Sequence, residues 1–199
     1  MIYVILGQPR SGTHLVMSYL QSVYNFPTVH YSPDYKFDYA DNTIVHTHDP
    51  MFTVDNIVDL SNVTLIVVKR QDLFSQLMSS AIAERSGQWV KYGLGNIKPF
   101  NYPIIDFRQD LLDAFAWYRD LELGKNYHEI IFVQYEHFIE YGVSYLSKKL
   151  GNSFLTIDLA PKSPFNFKDL IINWEELYNV YETFINVYNV YGYRACIQS

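Results

Sequence analysis

The chain has little of what marks a secreted, membrane-spanning or nucleic-acid-binding protein. Its 199 residues include one cysteine, Cys196, which excludes an internal disulfide framework and favours a reducing compartment. No basic segment leads into a long apolar stretch near the start, and LIVV at 65–68 is far shorter than a membrane span. The net charge of −6 argues against a general nucleic-acid binder. We therefore expect a cytoplasmic protein with no membrane span and no nucleic-acid partner.

Apolar residues, by contrast, are abundant at 49%, enough to bury the core of a single domain over residues 1–199. Short β-branched runs predict strands at 3–6, 42–48, 63–68 and 129–135. Helical spacing of apolar residues predicts helices at 13–24, 72–85, 106–123, 138–150 and about 169–188. This alternation predicts a three-layer α/β fold with a mostly parallel central sheet flanked by helices. Ligands of such sheets bind at the carboxyl ends of the strands.

The stretch GQPRSGTHL (7–15) follows the first predicted strand directly and opens the first helix. Its glycines have the spacing of a phosphate-binding loop, whose backbone N–H groups point at an anion. Nucleotide-hydrolysing loops continue Gly-Lys-Ser/Thr, with the lysine on the terminal phosphates and the hydroxyl on Mg²⁺. Here Thr13 and His14 follow Gly12, and the cation is Arg10, inside the loop. An arginine can bridge two oxygens of an anion.

The run Pro9-Arg10-Ser11-Gly12-Thr13 resembles the 5′-phosphosulfate loop of the sulfotransferases. The resemblance implies a P-loop-like fold, 3′-phosphoadenosine 5′-phosphosulfate (PAPS) as sulfuryl donor and adenosine 3′,5′-bisphosphate (PAP) as product. It assigns the donor site to Pro9, Arg10, Ser11, Gly12, Thr13 and His14. Arg10 would neutralise the charge that develops on the leaving phosphate, and no metal is required.

A second segment, VTLIVVKRQDLFSQLMSSAIAERSGQW (63–89), is similar to the part of sulfotransferases that holds the 3′-phosphate. The resemblance implies that Arg70, after the strand, and a serine on the next helix grip this phosphate. The usual spacing leads to Met78, one residue before Ser79. The run QLMSSAIAERSGQW resembles the bacterial trehalose-type sulfotransferases, which favours Ser79.

Two residues are candidates for the general base. The strand TIVHTHDP (43–50) resembles the Lys-Thr-His stretch of cytosolic sulfotransferases, with His46 at the lysine position and His48 at that of the base. An imidazole suits proton abstraction at neutral pH. SPDY (32–35) resembles the Pro-x-Glu-Tyr run of the trehalose-type enzymes, which makes Asp34 the rival base.

A fourth segment, IIFVQYEHF (130–138), resembles the family strand that ends in Tyr-Glu-Asp-Leu. The resemblance places Tyr135 against the adenine, and Glu136 is expected to cap the next helix. The basic loop with which cytosolic sulfotransferases close over the 3′-phosphate has no counterpart near the C-terminus. The acceptor is expected to be a hydroxyl of a carbohydrate or small metabolite. Two alternatives stay open: a P-loop kinase or hydrolase, and a nucleotide-binding module without catalysis.

Overall fold

A computed structural model of the chain describes residues 1–31, 42–50, 60–87, 97–121, 126–151 and 166–190. The strands are β1 (Ile2–Leu6), β2 (Thr28–His30), β3 (Thr43–Thr47), β4 (Val63–Lys69) and β5 (Glu129–Gln134). The helices are α1 (Thr13–Tyr24), α2 (Leu73–Ser86), α3 (Ile104–Arg119), α4 (Tyr135–Tyr141), α5 (Val143–Leu150) and α6 (Trp174–Val190). Two 3₁₀ turns occupy Leu60–Asn62 and Phe167–Asp169.

The chain divides into two compact units. The first consists of Met1–Gln71 and Asp120–Ala160, and it contains the whole sheet together with α1, α4 and α5. The second consists of Asp72–Arg119 and Pro161–Ser199, and it contains α2, α3 and α6. The prediction of one domain over residues 1–199 stays a prediction.

The sheet of the first unit has the strand order β2-β3-β1-β4-β5, and all its neighbouring strands are parallel. Every residue of β1 and β3 is buried, as in a sheet that is covered on both faces. This confirms the predicted α/β fold with a central parallel sheet. The chain moves from β1 to one side for β2 and β3, and to the other side for β4 and β5. The carboxyl end of β1 is therefore the switch point at which open α/β sheets bind ligands.

Helix α1 covers one face of this sheet. Its buried side chains, Val16, Tyr19 and Leu20, share a hydrophobic cluster with the strand residues Ile5 and Ile44. The helix starts after Gly12 and ends at Asn25, which adopts the left-handed conformation common at helix ends. These bounds confirm the helix predicted over 13–24, and they place its N-terminus beside the carboxyl end of β1.

The second unit has a hydrophobic core of its own. Its large buried side chains include Phe74 and Met78 of α2, Phe107 of α3 and Leu177 of α6. The side chain of Asp72 caps α2 by accepting a hydrogen bond from the backbone N–H of Ser75.

Three predicted helices differ from the structure, and one strand was not predicted. The helix predicted over 106–123 spans Ile104–Arg119. The helix predicted over 138–150 is two helices, α4 and α5, because Gly142 between them has φ 65°. The helix predicted from about 169 begins at Trp174, after a 3₁₀ turn. Strand β2 was not predicted, since its three residues, Thr-Val-His, are too few to show a period. None of the helices in the described ranges has both the length and the apolar character needed to span a membrane.

Candidate functional site

The loop between β1 and α1 lies at the switch point of the sheet. Inside it, the backbone N–H of Ser11 donates to the carbonyl oxygen of Gln8 at 3.1 Å. Arg10 and Gly12 both have positive φ, 64° and 98°, so the chain turns sharply into α1. A twelve-residue helix that begins at such a turn favours an anion at its N-terminus.

Two glycines allow this loop to pack closely on its neighbours. A Cβ atom on Gly7 would lie 2.5 Å from Ser11 Oγ and 2.9 Å from the carbonyl oxygen of Val68. A Cβ atom on Gly12 would lie 2.4 Å from the ring of Tyr135, the first residue of α4. Real Cβ atoms do not approach other atoms this closely, so both positions require glycine.

The Ser11 hydroxyl is buried at the centre of the loop. The side chain has 0% exposure, and its Oγ has no hydrogen-bond partner within the described part of the chain. A buried polar atom left in that state costs about 1–3 kcal/mol. Ser11 lies two residues before the first residue of α1, whose N-terminus favours an anion. The residues present therefore fit the 5′-phosphosulfate group that the motif implies.

Arg70, at the end of β4, reaches the same loop. Its Nη1 donates to the carbonyl oxygen of Arg10 at 3.3 Å, and its guanidinium lies 4.9 Å from the ring centroid of Tyr135. Its Nε is 4.0 Å from Glu136 Oε1, too far for a hydrogen bond. The neighbouring Lys69 instead lies over the ring of Phe132. Arg70 thus brings a second cation to the loop.

Glu136 lies in the first turn of α4, the position expected from the sequence, and its side chain also bonds to another segment. Its Oε2 accepts a hydrogen bond from the backbone N–H of Gln71 at 3.0 Å, and the N-cap residue of α4 is Gln134. Glu136 therefore also orients the segment after β4, next to Arg70.

Four histidines form a cluster on the other side of the loop, which we call the histidine cluster: His14, His30, His46 and His48. The ring of His46 is central, with centroids 4.7 Å from His14, 4.8 Å from His30 and 4.8 Å from His48. Of the described residues, no group of three or more His, Cys, Asp or Glu side chains has the arrangement of a metal site.

His48 is attached to the first residue of the loop. Its Nδ1 forms a short hydrogen bond with the carbonyl oxygen of Gly7. Because a carbonyl oxygen can only accept, Nδ1 must carry the hydrogen, and Nε2 is then the basic nitrogen of the neutral ring. Burial lowers the pKa of His48, and the positive charges of His30 and His14 lower it further against the opposing effect of the Gly7 bond. His48 is therefore a neutral imidazole of defined tautomer at the loop.

His46 is fully buried on β3, and both of its ring nitrogens are hydrogen-bonded. Its Nε2 lies 2.7 Å from Thr13 Oγ1, and its Nδ1 lies 2.9 Å from Nδ1 of His30. Burial, followed by the charges of the other three histidines, lowers the pKa of His46 to about 3. At neutral pH this ring is uncharged.

His14 extends the cluster towards the side chain of Arg10. Partial desolvation lowers the pKa of His14, and the charges of His30 and Arg10 lower it further. Its side chain is nevertheless exposed at the start of α1. The charge of Arg10 thus disfavours protonation of His14.

The structure brings most of the predicted site residues together in the first unit. The loop residues 9–14, His48, Arg70 and Tyr135 all lie at the carboxyl end of the sheet. Ser79 belongs to the second unit, where it and Met78 are buried in α2. Asp34 lies outside the described residues. The assignment of Tyr135 to a purine pocket stays a prediction; its described neighbours are Gly12 and Arg70.

Sequence reasoning missed His30. It is the register partner of His46 in the β2–β3 ladder, so the two rings meet only because β2 is part of the sheet. The available signal was the Val-His pair of TVH (28–30), which recurs in TIVH (43–46). Register partners on adjacent parallel strands point to the same face of the sheet.

No protein-family model matches the chain, and no curated protein sequence matches it. The likeness to sulfotransferases therefore rests on the sequence motifs alone.

Proposed function

We propose that this protein is a sulfotransferase that moves a sulfuryl group from PAPS to the hydroxyl of a carbohydrate or small metabolite. One observation carries the proposal most of all: the imidazole of His48 is bonded through Nδ1 to Gly7, the residue that begins the anion-binding loop. A base of fixed tautomer and an anion cradle thus lie side by side.

In this proposal the loop holds the donor's 5′-phosphosulfate. Ser11 offers its buried hydroxyl, Thr13 offers a hydroxyl at the start of α1, and Arg10 supplies positive charge. When bound, PAPS supplies an activated sulfuryl group, and its transfer leaves charge on a phosphate. Arg10 stabilises the transition state more than the bound donor, because the charge that it neutralises grows towards the transition state.

His48 acts on the acceptor. Its Nε2 takes the proton of the acceptor hydroxyl as the oxygen bonds to sulfur and the bond between sulfur and the bridging phosphate oxygen breaks. The hydrogen bond from Nδ1 to Gly7 steadies the imidazolium that forms, since Nδ1 keeps its hydrogen throughout. General base catalysis of this kind contributes about 10²–10⁴-fold to the rate.

Two features favour sulfuryl transfer over magnesium-dependent phosphoryl transfer. His14 stands where a nucleotidase loop has the hydroxyl that binds Mg²⁺. Strand β4 ends in the cations Lys69 and Arg70, where a nucleotidase would have a magnesium-binding aspartate. In this proposal arginine side chains, and not Mg²⁺, neutralise the charge of a bound anion.

The experiment that tests this function is transfer of radiolabelled sulfate from PAPS to a panel of sugars and small hydroxyl compounds. The matched variant is His48→Asn, whose amide nitrogen can replace Nδ1 in the bond to Gly7 but offers no base. We expect a labelled product with the wild type and about 10²–10⁴ times less with the variant. Transfer of a γ-phosphoryl group from Mg-ATP, with none of sulfate, would contradict the proposal.

A further inference from the structure

His46 joins the exposed edge of the sheet to the anion-binding loop. His30 at the end of β2, His46 on β3 and Thr13 at the start of α1 form a chain of two hydrogen bonds, of 2.9 Å and 2.7 Å. His46 and Thr13 are buried, with 0% and 2% exposure, whereas His30 is exposed. No water is needed to complete this chain.

The protonation state of the imidazoles determines how many hydrogens these two hydrogen bonds contain. A neutral imidazole carries one N–H, and each of the two hydrogen bonds holds one hydrogen. Since His46 is neutral, it donates at one ring nitrogen and accepts at the other. The hydrogens can therefore be arranged in only two ways. In each, the direction of the His30–His46 bond fixes the direction of the His46–Thr13 bond.

In the first arrangement His30 donates to His46, and His46 Nε2–H donates to Thr13 Oγ1. The Thr13 hydroxyl hydrogen then points away from His46 and can be given to an anion. In the second arrangement Thr13 donates to His46, and its oxygen presents only lone pairs to the loop. The first suits an anion and the second suits a cation. A protonated His30, which can only donate, is compatible with the first alone.

We propose that His46 is a positioning residue: held by His30, it donates its Nε2 hydrogen to Thr13 and so directs the Thr13 hydroxyl hydrogen to an anion in the loop. This deepens the proposed function and rests on it. It gives the His30–His46 pair a role in selecting a phosphosulfate-like anion over a metal-bound nucleotide.

The tautomer of His46 can be measured directly by long-range ¹H–¹⁵N NMR correlation of the imidazole nitrogens. We expect a hydrogen on Nε2 of His46 and on Nδ1 of His30, both in the free protein and with saturating inorganic pyrophosphate. Pyrophosphate is the probe because it needs the loop but no purine pocket. A His46 that carries its hydrogen on Nδ1 with pyrophosphate bound would overturn the proposal.

Affinity for pyrophosphate tests the role of the hydrogen bonds that link His30, His46 and Thr13. Thr13→Val and His46→Leu should each weaken binding about tenfold, the worth of one hydrogen bond to a charged group. The double variant should lose no more than either single one. His46→Gln should retain most of the affinity, since its amide nitrogen can still donate to Thr13. Additive losses, or a His46→Leu that is only less heat-stable, would show a purely structural role and contradict the proposal.

The two proposals fail separately. If the wild type binds pyrophosphate with this dependence on His46 but does not bind PAP, the positioning role stands and the sulfotransferase function falls. If it binds PAP but pyrophosphate binding is absent or indifferent to His46, the positioning role is wrong and the function stands.

Discussion

The Nδ1–H group of His48 donates a hydrogen bond to the carbonyl oxygen of Gly7, the residue with which the loop after β1 begins. The bond ties the end of β3 to the end of β1 and fixes which nitrogen of the ring is basic. His48→Asn keeps a donor for Gly7 and removes the proposed base. We expect its turnover to fall about 10²–10⁴-fold, with PAP affinity nearly unchanged.

The control is His137→Asn, because His137 is exposed on α4 and its ring packs against Tyr141 and Tyr145. Turnover and PAP affinity of this control should match the wild type. If His48→Asn keeps its turnover and Asp34→Asn loses it, the base is Asp34, as in the trehalose-type interpretation of SPDY.

The pH dependence of turnover follows from the environment of His48. Burial lowers the pKa of this imidazole below its ordinary value of 6.5. A base must be unprotonated, so turnover should rise with pH through a step below 6.5 and be level above it. The step should vanish in His48→Asn. A step above pH 7 in the wild type, measured under saturating donor, would contradict the assignment.

Arg10, the proposed source of catalytic charge, has an unfavourable backbone conformation. Its φ of 64° lies in the left-handed region, which costs a non-glycine residue about 1–2 kcal/mol. Arg10→Gly should therefore be more stable than Arg10→Ala by about 1 kcal/mol, measured by urea denaturation. Both variants should lose turnover by more than they lose donor affinity, whereas Arg10→Lys should retain part of it.

Equal stabilities of Arg10→Gly and Arg10→Ala would show that the positive φ at this position does not lower the stability of the protein. A variant Arg10→Ala with normal turnover would show that Arg10 is a solvated residue of the turn and nothing more.

Gly12 should tolerate no side chain. Its φ of 98° and the 2.4 Å approach of a Cβ to Tyr135 both oppose alanine. Gly12→Ala should lower the free energy of unfolding by about 2 kcal/mol or more and weaken PAP binding. The matched control is Gly87→Ala, where φ is 67° but nothing lies within 4 Å of the new atom. That control should lose only about 1 kcal/mol. Losses of equal size would mean that the contact with Tyr135 has no energetic weight.

Stability should depend on pH through His46. Its pKa in the folded protein is about 3, against 6.5 in the unfolded chain, so between these values the unfolded chain binds more protons. The free energy of unfolding must therefore fall as pH falls below 6.5, by about 1.4 kcal/mol per pH unit for this group alone. Urea denaturation at pH 7 and pH 5 should show a smaller fall for His46→Gln than for the wild type. An equal fall would contradict the neutral, buried His46.

Local pattern was enough to predict the elements that make the loop. The apolar run of β1 and the helical spacing of α1 are properties of neighbouring residues, so residues 13–24 were predicted with the bounds that the structure has. The break at Gly142 was missed because helical spacing continues across it, and only its φ of 65° ends α4.

The histidine cluster could not be predicted in full, because it depends on strand register. His14, His46 and His48 were visible as motif positions, but the bond between His30 and His46 requires β2 to lie next to β3. The contact of Arg70 with the carbonyl oxygen of Arg10 likewise joins residues 60 positions apart. The sequence pattern indicates which residues are candidates for the site. Which of them contact each other is determined by the tertiary structure.

Calorimetric titration tests most directly whether the protein binds a phosphoadenosine donor without Mg²⁺. The ligands are PAP, adenosine 5′-phosphate and ATP, each with Mg²⁺ and with a chelator. If Arg70 and the loop hold a phosphoadenosine donor, PAP should bind without Mg²⁺ and at least tenfold more tightly than adenosine 5′-phosphate, since a charge-assisted bond to phosphate is worth about 1.5–3 kcal/mol. Equal affinities for PAP and adenosine 5′-phosphate, or binding of ATP that depends on Mg²⁺ in place of PAP binding, would contradict the account.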